Sequence, residues 1–242
     1  AIPSSPGSVQ IISLANDTLW PGESIRDSII NQSNEVQEIT YLIFPRLRGV
    51  NGSLKCAGDP QSVTIRVNPT PAITVEIPDT IACHDEEITF GITTPVISTT
   101  GALVYELETN YVAGTVTGVS PDGIYSIADL TDNLVNLTDS LQVITYRFTP
   151  FIQNPKTGVL RCEGGRDTVI TIYLNPRPLI AVVPSNDTLC FDEGVDFDIS
   201  SLNGTLAGGN WRYRVTAVPN NPNGLSGYAD DDNRAEGIFS QN

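Results

Sequence analysis

Four cysteines, one histidine and three acidic clusters are the side chains of this 242-residue chain with the clearest capacity for chemistry. Cys56 and Cys83 are separated by 26 residues, and Cys162 and Cys190 by 27. Such paired recurrence favours disulfides formed in an oxidising, extracytoplasmic setting over four buried thiols. A zinc site would want closely spaced ligands such as C-x2-C, and the sequence has none. His84 is the only histidine, so no second imidazole exists for a metal pair, and its place in an acidic turn predicts that it faces solvent. The adjacent acids Asp85-Glu86-Glu87 and Asp192-Glu193 could be read as a general acid and base. Acids side by side at the start of a strand are more often solvated turn residues. Asp230, Asp231 and Asp232 could offer oxygen ligands to calcium, although the run lacks the glycine and terminal glutamate of an EF-hand loop. No G-x-S-x-G turn and no glycine-rich phosphate loop is present. The expectation is a protein that is not an enzyme and needs no cofactor, with calcium as the one weak candidate.

These residues are positioned by a repeat. Shifting the sequence by 105 places brings Asp27, Asn31, Gln37, Ile39, Thr40, Tyr41 and Pro45 onto Asp132, Asn136, Gln142, Ile144, Thr145, Tyr146 and Pro150. Two residues of slack then align Cys56 with Cys162, Asn68-Pro69-Thr70-Pro71 with Asn175-Pro176-Arg177-Pro178, and Cys83 with Cys190. A period of this length is a whole domain in tandem rather than a short solenoid unit. Within it, short alternating runs such as ITYLIFP, SVTIRVNP and AITVEI are punctuated by Gly, Pro and Asn, and no apolar period near 3.6 persists for three turns. The pattern predicts an all-β chain of tandem immunoglobulin-like antiparallel β-sandwich domains. Trp211, on the third strand of its copy, is a candidate core aromatic. The stretch from Pro219 to Asn242 reads as loop.

The net charge of −15 disfavours nucleic acid and anionic membrane surfaces as partners. No apolar run is long enough to span a bilayer as a helix, and no basic-then-apolar signal opens the chain. The start at Ala1 is what an excised or processed piece of a longer protein would show.

Two disulfide schemes are open. Cys83 could pair with Cys162 inside one proline-to-proline unit, leaving Cys56 and Cys190 to seek partners elsewhere. Alternatively, a hairpin centred between Pro69 and Thr70 sets Cys56 opposite Cys83, and its copy sets Cys162 opposite Cys190. The second scheme closes every thiol and is preferred; a bridged loop of that size would contribute about 3–4 kcal/mol.

The ordered set Asn136, Thr138, Thr145, Tyr146, Pro150, Cys162, Gly164, Asn175, Pro176, Pro178 and Cys190 resembles the PKD-like repeats of Bacteroidetes. Asn31, Thr40, Tyr41, Pro45, Cys56, Gly58, Asn68, Pro69, Pro71 and Cys83 carry the same set in the first copy. The resemblance covers most of residues 24–215. It implies PKD-like β-sandwiches strung through giant secreted cell-surface proteins, including gliding-motility adhesins exported by type 9 secretion. The expected division is a partial module at 1–69, a complete one at 70–176 and a partial one at 177–242. The implied function is a structural stalk segment on the cell surface, spacing a binding tip from the cell. Its implied partners are neighbouring modules of the same polypeptide, with surface polysaccharide as a further candidate. The alternatives are a carbohydrate-binding or spacer module of a secreted hydrolase, with Trp20, Trp211, Tyr213 and Tyr228 as stacking candidates, and a calcium-rigidified linker. Asp followed by Ser or Thr and an aliphatic residue is similar to the O-glycan acceptor of Bacteroidetes, which marks Thr18, Ser28, Thr80, Ser140, Thr168 and Thr188. The plain alternative is that Asp-Thr simply starts strands.

Overall fold

The computed structural model describes residues 2–3, 7, 9–13, 22–153, 160–221, 223, 225–228, 230–234 and 237–241. The described elements are all β-strands, and among the described residues no helix is long and apolar enough to cross a membrane.

The longest strand, Gln142–Gln153, shows why the chain folds as it does. Its sequence QVITYRFTPFIQ places Ile144, Tyr146 and Phe148 on one face, all fully buried. Ala102–Asn110 pairs along one of its edges and Thr168–Leu174 along the other, both antiparallel. Gly123–Ser126 and Ile81–Ala82 complete a sheet in which Ile81–Ala82 runs parallel to Thr168–Leu174. A second sheet, ordered Val116–Thr117, Leu130–Asn136, Glu86–Thr93 and Thr74–Glu76, carries alternating apolar residues such as Ile88, Phe90, Ile92 and Leu134. The two apolar faces form one core. Phe90 meets Tyr146 at a centroid distance of 4.6 Å and Phe148 at 5.5 Å, both tilted, the favourable geometry for aromatic pairs. This is the expected immunoglobulin-like antiparallel β-sandwich.

On either side lie strands built from the same repeat. Gln37–Ile43 pairs with Gln61–Val67, and Arg46–Arg48 with Leu54–Ala57 to make the hairpin that carries Cys56. Ile180–Pro184 pairs with Val195–Ser201. Ile65 is 42% exposed, while its counterpart Ile172 is fully buried in the core. Glu86–Thr93, whose Ile88, Phe90 and Ile92 share the core with Ile172, has no counterpart among residues 27–67.

The reading of 219–242 as loop is corrected. Asp231–Arg234 pairs with Tyr213–Val215, and Gly237–Gln241 pairs with Val195–Ser201 in the place that Leu130–Asn136 takes beside Glu86–Thr93. The polar DDNR run hides the first of these strands, because it shows no apolar alternation for pattern reading to detect.

Candidate functional site: the repeated junction

The residues that recur in the sequence converge on the two linkers at 68–71 and 175–178. Asn136 is buried at the end of its strand, where its Nδ2 donates to Ser140 O at 2.9 Å and Leu174 O at 3.0 Å. Its Oδ1 accepts from Thr138 N at 2.9 Å, and Gln142 Nε2 donates to Thr138 Oγ1 at 3.0 Å. The first copy repeats every bond: Asn31 Nδ2 donates to Glu35 O at 2.7 Å and Val67 O at 2.9 Å, and Gln37 Nε2 donates to Ser33 Oγ at 3.0 Å. Leu174 and Val67 are the last residues before the linkers, so a buried amide fixes where each linker starts.

The linker asparagine then reaches forward. Asn68 Oδ1 accepts from Thr100 N at 2.7 Å, and its Nδ2 donates to Thr100 Oγ1 at 2.9 Å. Asn175 Oδ1 accepts from Ala207 N at 2.9 Å, and its Nδ2 donates to Ala207 O at 3.2 Å. A second link flanks each clamp, Ile97 N to Asn34 O at 2.8 Å and Gly204 N to Asp139 O at 3.3 Å. Prolines hold φ near −65° inside both linkers, and Pro71 is fully buried. Gly165 lies against this linker, since a Cβ there would stand 2.9 Å from Pro71 O. Neutral amides, short linkers and fixed prolines cannot move protons, but they can hold two sandwiches in one orientation.

A Tyr–Asp pair joins the two sheets of the core. Tyr146 donates to Asp132 Oδ2 at 2.6 Å, and Ser120 N donates to the same oxygen at 3.1 Å. Burial, then the bond to Asp132, pushes the Tyr146 phenol far above its usual range. Tyr41 makes the matching bond to Asp27 at 2.9 Å, and burial likewise raises its phenol. Tyr105 is pushed up to about 12, first by burial and then by Tyr125 and Asp132.

The acidic pairs shape turns. Asp85 and Asp192 adopt φ of 62° and 66°, and the next residues cap the turn: Glu86 accepts from Cys83 N at 2.6 Å and Glu193 from Cys190 N at 2.9 Å. Aspartate tolerates the left-handed region better than most residues, which accounts for its recurrence. His84 does not simply face solvent. It is half-buried, and its Nδ1 hydrogen-bonds to Asn136 O at 2.9 Å, which requires a proton on Nδ1.

No disulfide joins any of the four cysteines to another in this structure. Strand direction shows why the hairpin arithmetic fails. The 68–71 linker does not fold back on itself; Cys56 lies beyond the Gln61 end of Gln61–Val67, while Cys83 follows Ile81–Ala82 at the far end of the next sandwich. Cys162 lies opposite Ile152 and Cys83 lies near Leu174, which pairs with Gln142. Ten residues of strand hold those two thiols roughly 30 Å apart, far beyond the ~7 Å Cα limit of a disulfide. By the repeat, Cys190 stands to Cys162 as Cys83 stands to Cys56, beyond the next linker.

Trp211 is not a core residue. Half-buried, it lines a groove of about 830 Å³ at the second junction with Cys83, His84, Arg177 and Arg212. Tyr213 is half-buried and Tyr228 exposed, and neither lines that groove. Ser28, Thr80, Ser140 and Thr188 are exposed and Thr168 is half-buried, whereas Thr18 and Trp20 lie outside the described residues. Asp230 Oδ1 accepts from Ala217 N at 2.8 Å, and the side chains of Asp231 and Asp232 lie outside the described set. Among the described residues no three His, Cys, Asp or Glu side chains gather as a metal site would need.

Fold and junction together define a tandem immunoglobulin-like sandwich. Residues 14–71 match the model of the PKD-like domain family, and the internal repeat places the counterparts of 27–71 at 132–178. No curated protein matches the chain. A PKD-like domain fits a structural or spacer module and is typically non-catalytic.

Proposed function

We propose that this chain is a stalk segment of a large secreted cell-surface adhesin, in which PKD-like modules bounded near residues 69 and 176 space a binding tip from the cell. The observation that carries the reading is the duplicated clamp: Asn68 and Asn175 each hold, through Oδ1 and Nδ2, the residue 32 positions ahead, Asn68 using the Thr100 hydroxyl where Asn175 uses the Ala207 carbonyl. A spacer transmits force only if its joints resist bending, and a joint written twice with the same amides is suited to that task. Attachment to surfaces and gliding motility are the processes such a stalk serves. Glycans at Ser28, Thr80, Ser140, Thr168 or Thr188 would shield it from proteolysis. In the native cells, deletion of one full repeat should leave attachment intact with a shorter reach. Replacement of both linkers by Gly-Ser sequence should lower the force at which attached cells detach. Unchanged detachment in the second strain would reject the stalk reading.

The groove favours a second reading, carbohydrate binding. Arg177, Trp211 and Arg212 stand where the first junction has Thr70, Leu103 and Val104, so the repeat has been altered there towards stacking and charge. Isothermal titration with neutral and acidic oligosaccharides, on the chain and its Trp211→Ala variant, tests it. Heat lost in the variant supports a site in this groove, and no heat from either protein rejects it.

A further inference from the structure

The two cysteine positions of the repeat meet at one asparagine. At the first junction, Asn68 Nδ2 donates to Cys162 Sγ at 3.4 Å, so the hairpin thiol of the downstream sandwich sits against the linker that enters it. At the second junction, Asn175 N donates to Ala82 O at 2.8 Å, and Cys83 follows directly. Here the loop thiol of the upstream sandwich sits against the linker that leaves it, in the groove shared with Pro176 and Arg177. Asn68 and Asn175 are the same residue of the repeat, and both make the same forward clamp. Placing one junction on the other therefore sets a Cys83-type thiol and a Cys162-type thiol beside the same linker asparagine, on opposite sides of the joint. Each junction of the chain shows one half of that arrangement.

We propose that each Asn-Pro-x-Pro junction is locked by a disulfide between the loop cysteine of one module and the hairpin cysteine of the next. This deepens the stalk reading and rests on it. Cys83 and Cys162 then belong to two different bridges, each completed by a cysteine of a neighbouring module one repeat away. In each bridge two thiols lose two protons and two electrons as the S–S bond forms. The electrons reduce a protein disulfide of an extracytoplasmic thiol oxidase to two thiols. The bridge runs across the joint, parallel to the asparagine clamp, so it opposes separation of the modules under tension. A bridge within one sandwich would span a fold already held by its sheets. Closing the joint also explains why the repeat keeps one cysteine at each end of the module.

Non-reducing peptide mapping of the intact protein from its native source tests the pairing. The expected result is the Cys162 peptide linked to a loop peptide of the preceding module, and the Cys83 peptide linked to a hairpin peptide of the following one. Links of Cys83 to Cys162, Cys56 to Cys83 or Cys162 to Cys190 would overturn the proposal, as would free thiols in the native protein. A second measurement uses the 242-residue chain with Cys56, Cys83 and Cys190 changed to Ser. Adding Asn68→Cys should let oxidised protein lose two hydrogens as the introduced thiol links to Cys162, whereas Thr64→Cys in the same background should not. Failure of the Asn68→Cys variant to link would remove the geometric basis. Detachment force in the linker-replacement strain reads the stalk function separately, so free thiols on a force-bearing stalk would reject the bridge alone.

Discussion

Asn175 holds Ala207 by both ends of its amide: Oδ1 accepts from Ala207 N at 2.9 Å, and Nδ2 donates to Ala207 O at 3.2 Å. Asn68 performs the same operation on Thr100, with the Thr100 hydroxyl taking the place of the carbonyl. A side-chain amide that mimics a strand partner joins two sandwiches without adding a strand to either. It needs one donor and one acceptor at fixed separation, and asparagine is the shortest side chain that supplies both.

Asn175→Ala removes both bonds while leaving Asn175 N on Ala82 O. Each lost bond is worth about 1 kcal/mol. The sandwich core does not depend on them, so thermal unfolding of the central sandwich should shift little. The joint should loosen instead. Small-angle scattering is expected to show a broader distribution of lengths, and the Ala207 amide should exchange faster. A variant with an unchanged length distribution would show that the clamp does not set the joint.

Gly118 and Gly114 separate steric collision from backbone preference. Both have positive φ, +83° and +81°, but a Cβ at Gly118 would collide with Asn133 O, while one at Gly114 meets nothing within 4 Å. Gly114→Ala should cost about 1 kcal/mol, the ordinary penalty of an L-residue in this region. Gly118→Ala must also move backbone away from a carbonyl and should cost several-fold more by urea unfolding. Equal costs would mean that the Val116–Thr117 strand yields freely at that edge.

How much of this was legible in the sequence depended on what each residue answers to. Tyr146, Phe148 and Ile144 answer to alternation, and their burial follows from it. Asn136, Asn175 and Asp85 recur because they make local bonds that both copies need, so the repeat flagged them without disclosing their partners. The cysteines misled. Symmetric spacing around Pro69-Thr70 resembles a hairpin, yet the prolines there carry the chain onward into another sandwich, which only strand direction reveals. Trp211 misled as well, because its place in a strand pattern did not show that its face opens onto a junction groove. The strand at 231–234 lacked apolar alternation and was invisible for that reason.

Phe148 and Phe191 mark the extremes of apolar burial. Phe148 is fully enclosed and touches rings of Phe90, Tyr105 and Tyr146, whereas Phe191 is 99% exposed. Phe148→Ala should cost about 3–5 kcal/mol, the lost transfer energy plus the cavity. Phe191→Ala should leave the urea midpoint within error. A large effect at Phe191 would show that it is covered in solution.

The Tyr146–Asp132 bond predicts how stability changes in alkali. Tyr146 is raised well above 10.0 in the folded chain, and Tyr105 to about 12, while the same phenols in the unfolded chain titrate near 10. Above pH 10 the unfolded state therefore binds fewer protons than the folded one, so unfolding free energy falls as pH rises. Below pH 10 both states keep the phenolic protons and these groups contribute no slope. Tyr146→Phe removes one titrating group, and the decline beyond pH 10 should become shallower by about one proton. At pH 7 the same variant should lose about 1–3 kcal/mol, because Asp132 Oδ2 keeps Ser120 N but loses its phenol donor. Tyr41→Phe, at a half-buried position, should lose less. Urea unfolding at pH 7, 10 and 11 measures both effects, and parallel decline in wild type and Tyr146→Phe would place the alkaline sensitivity elsewhere.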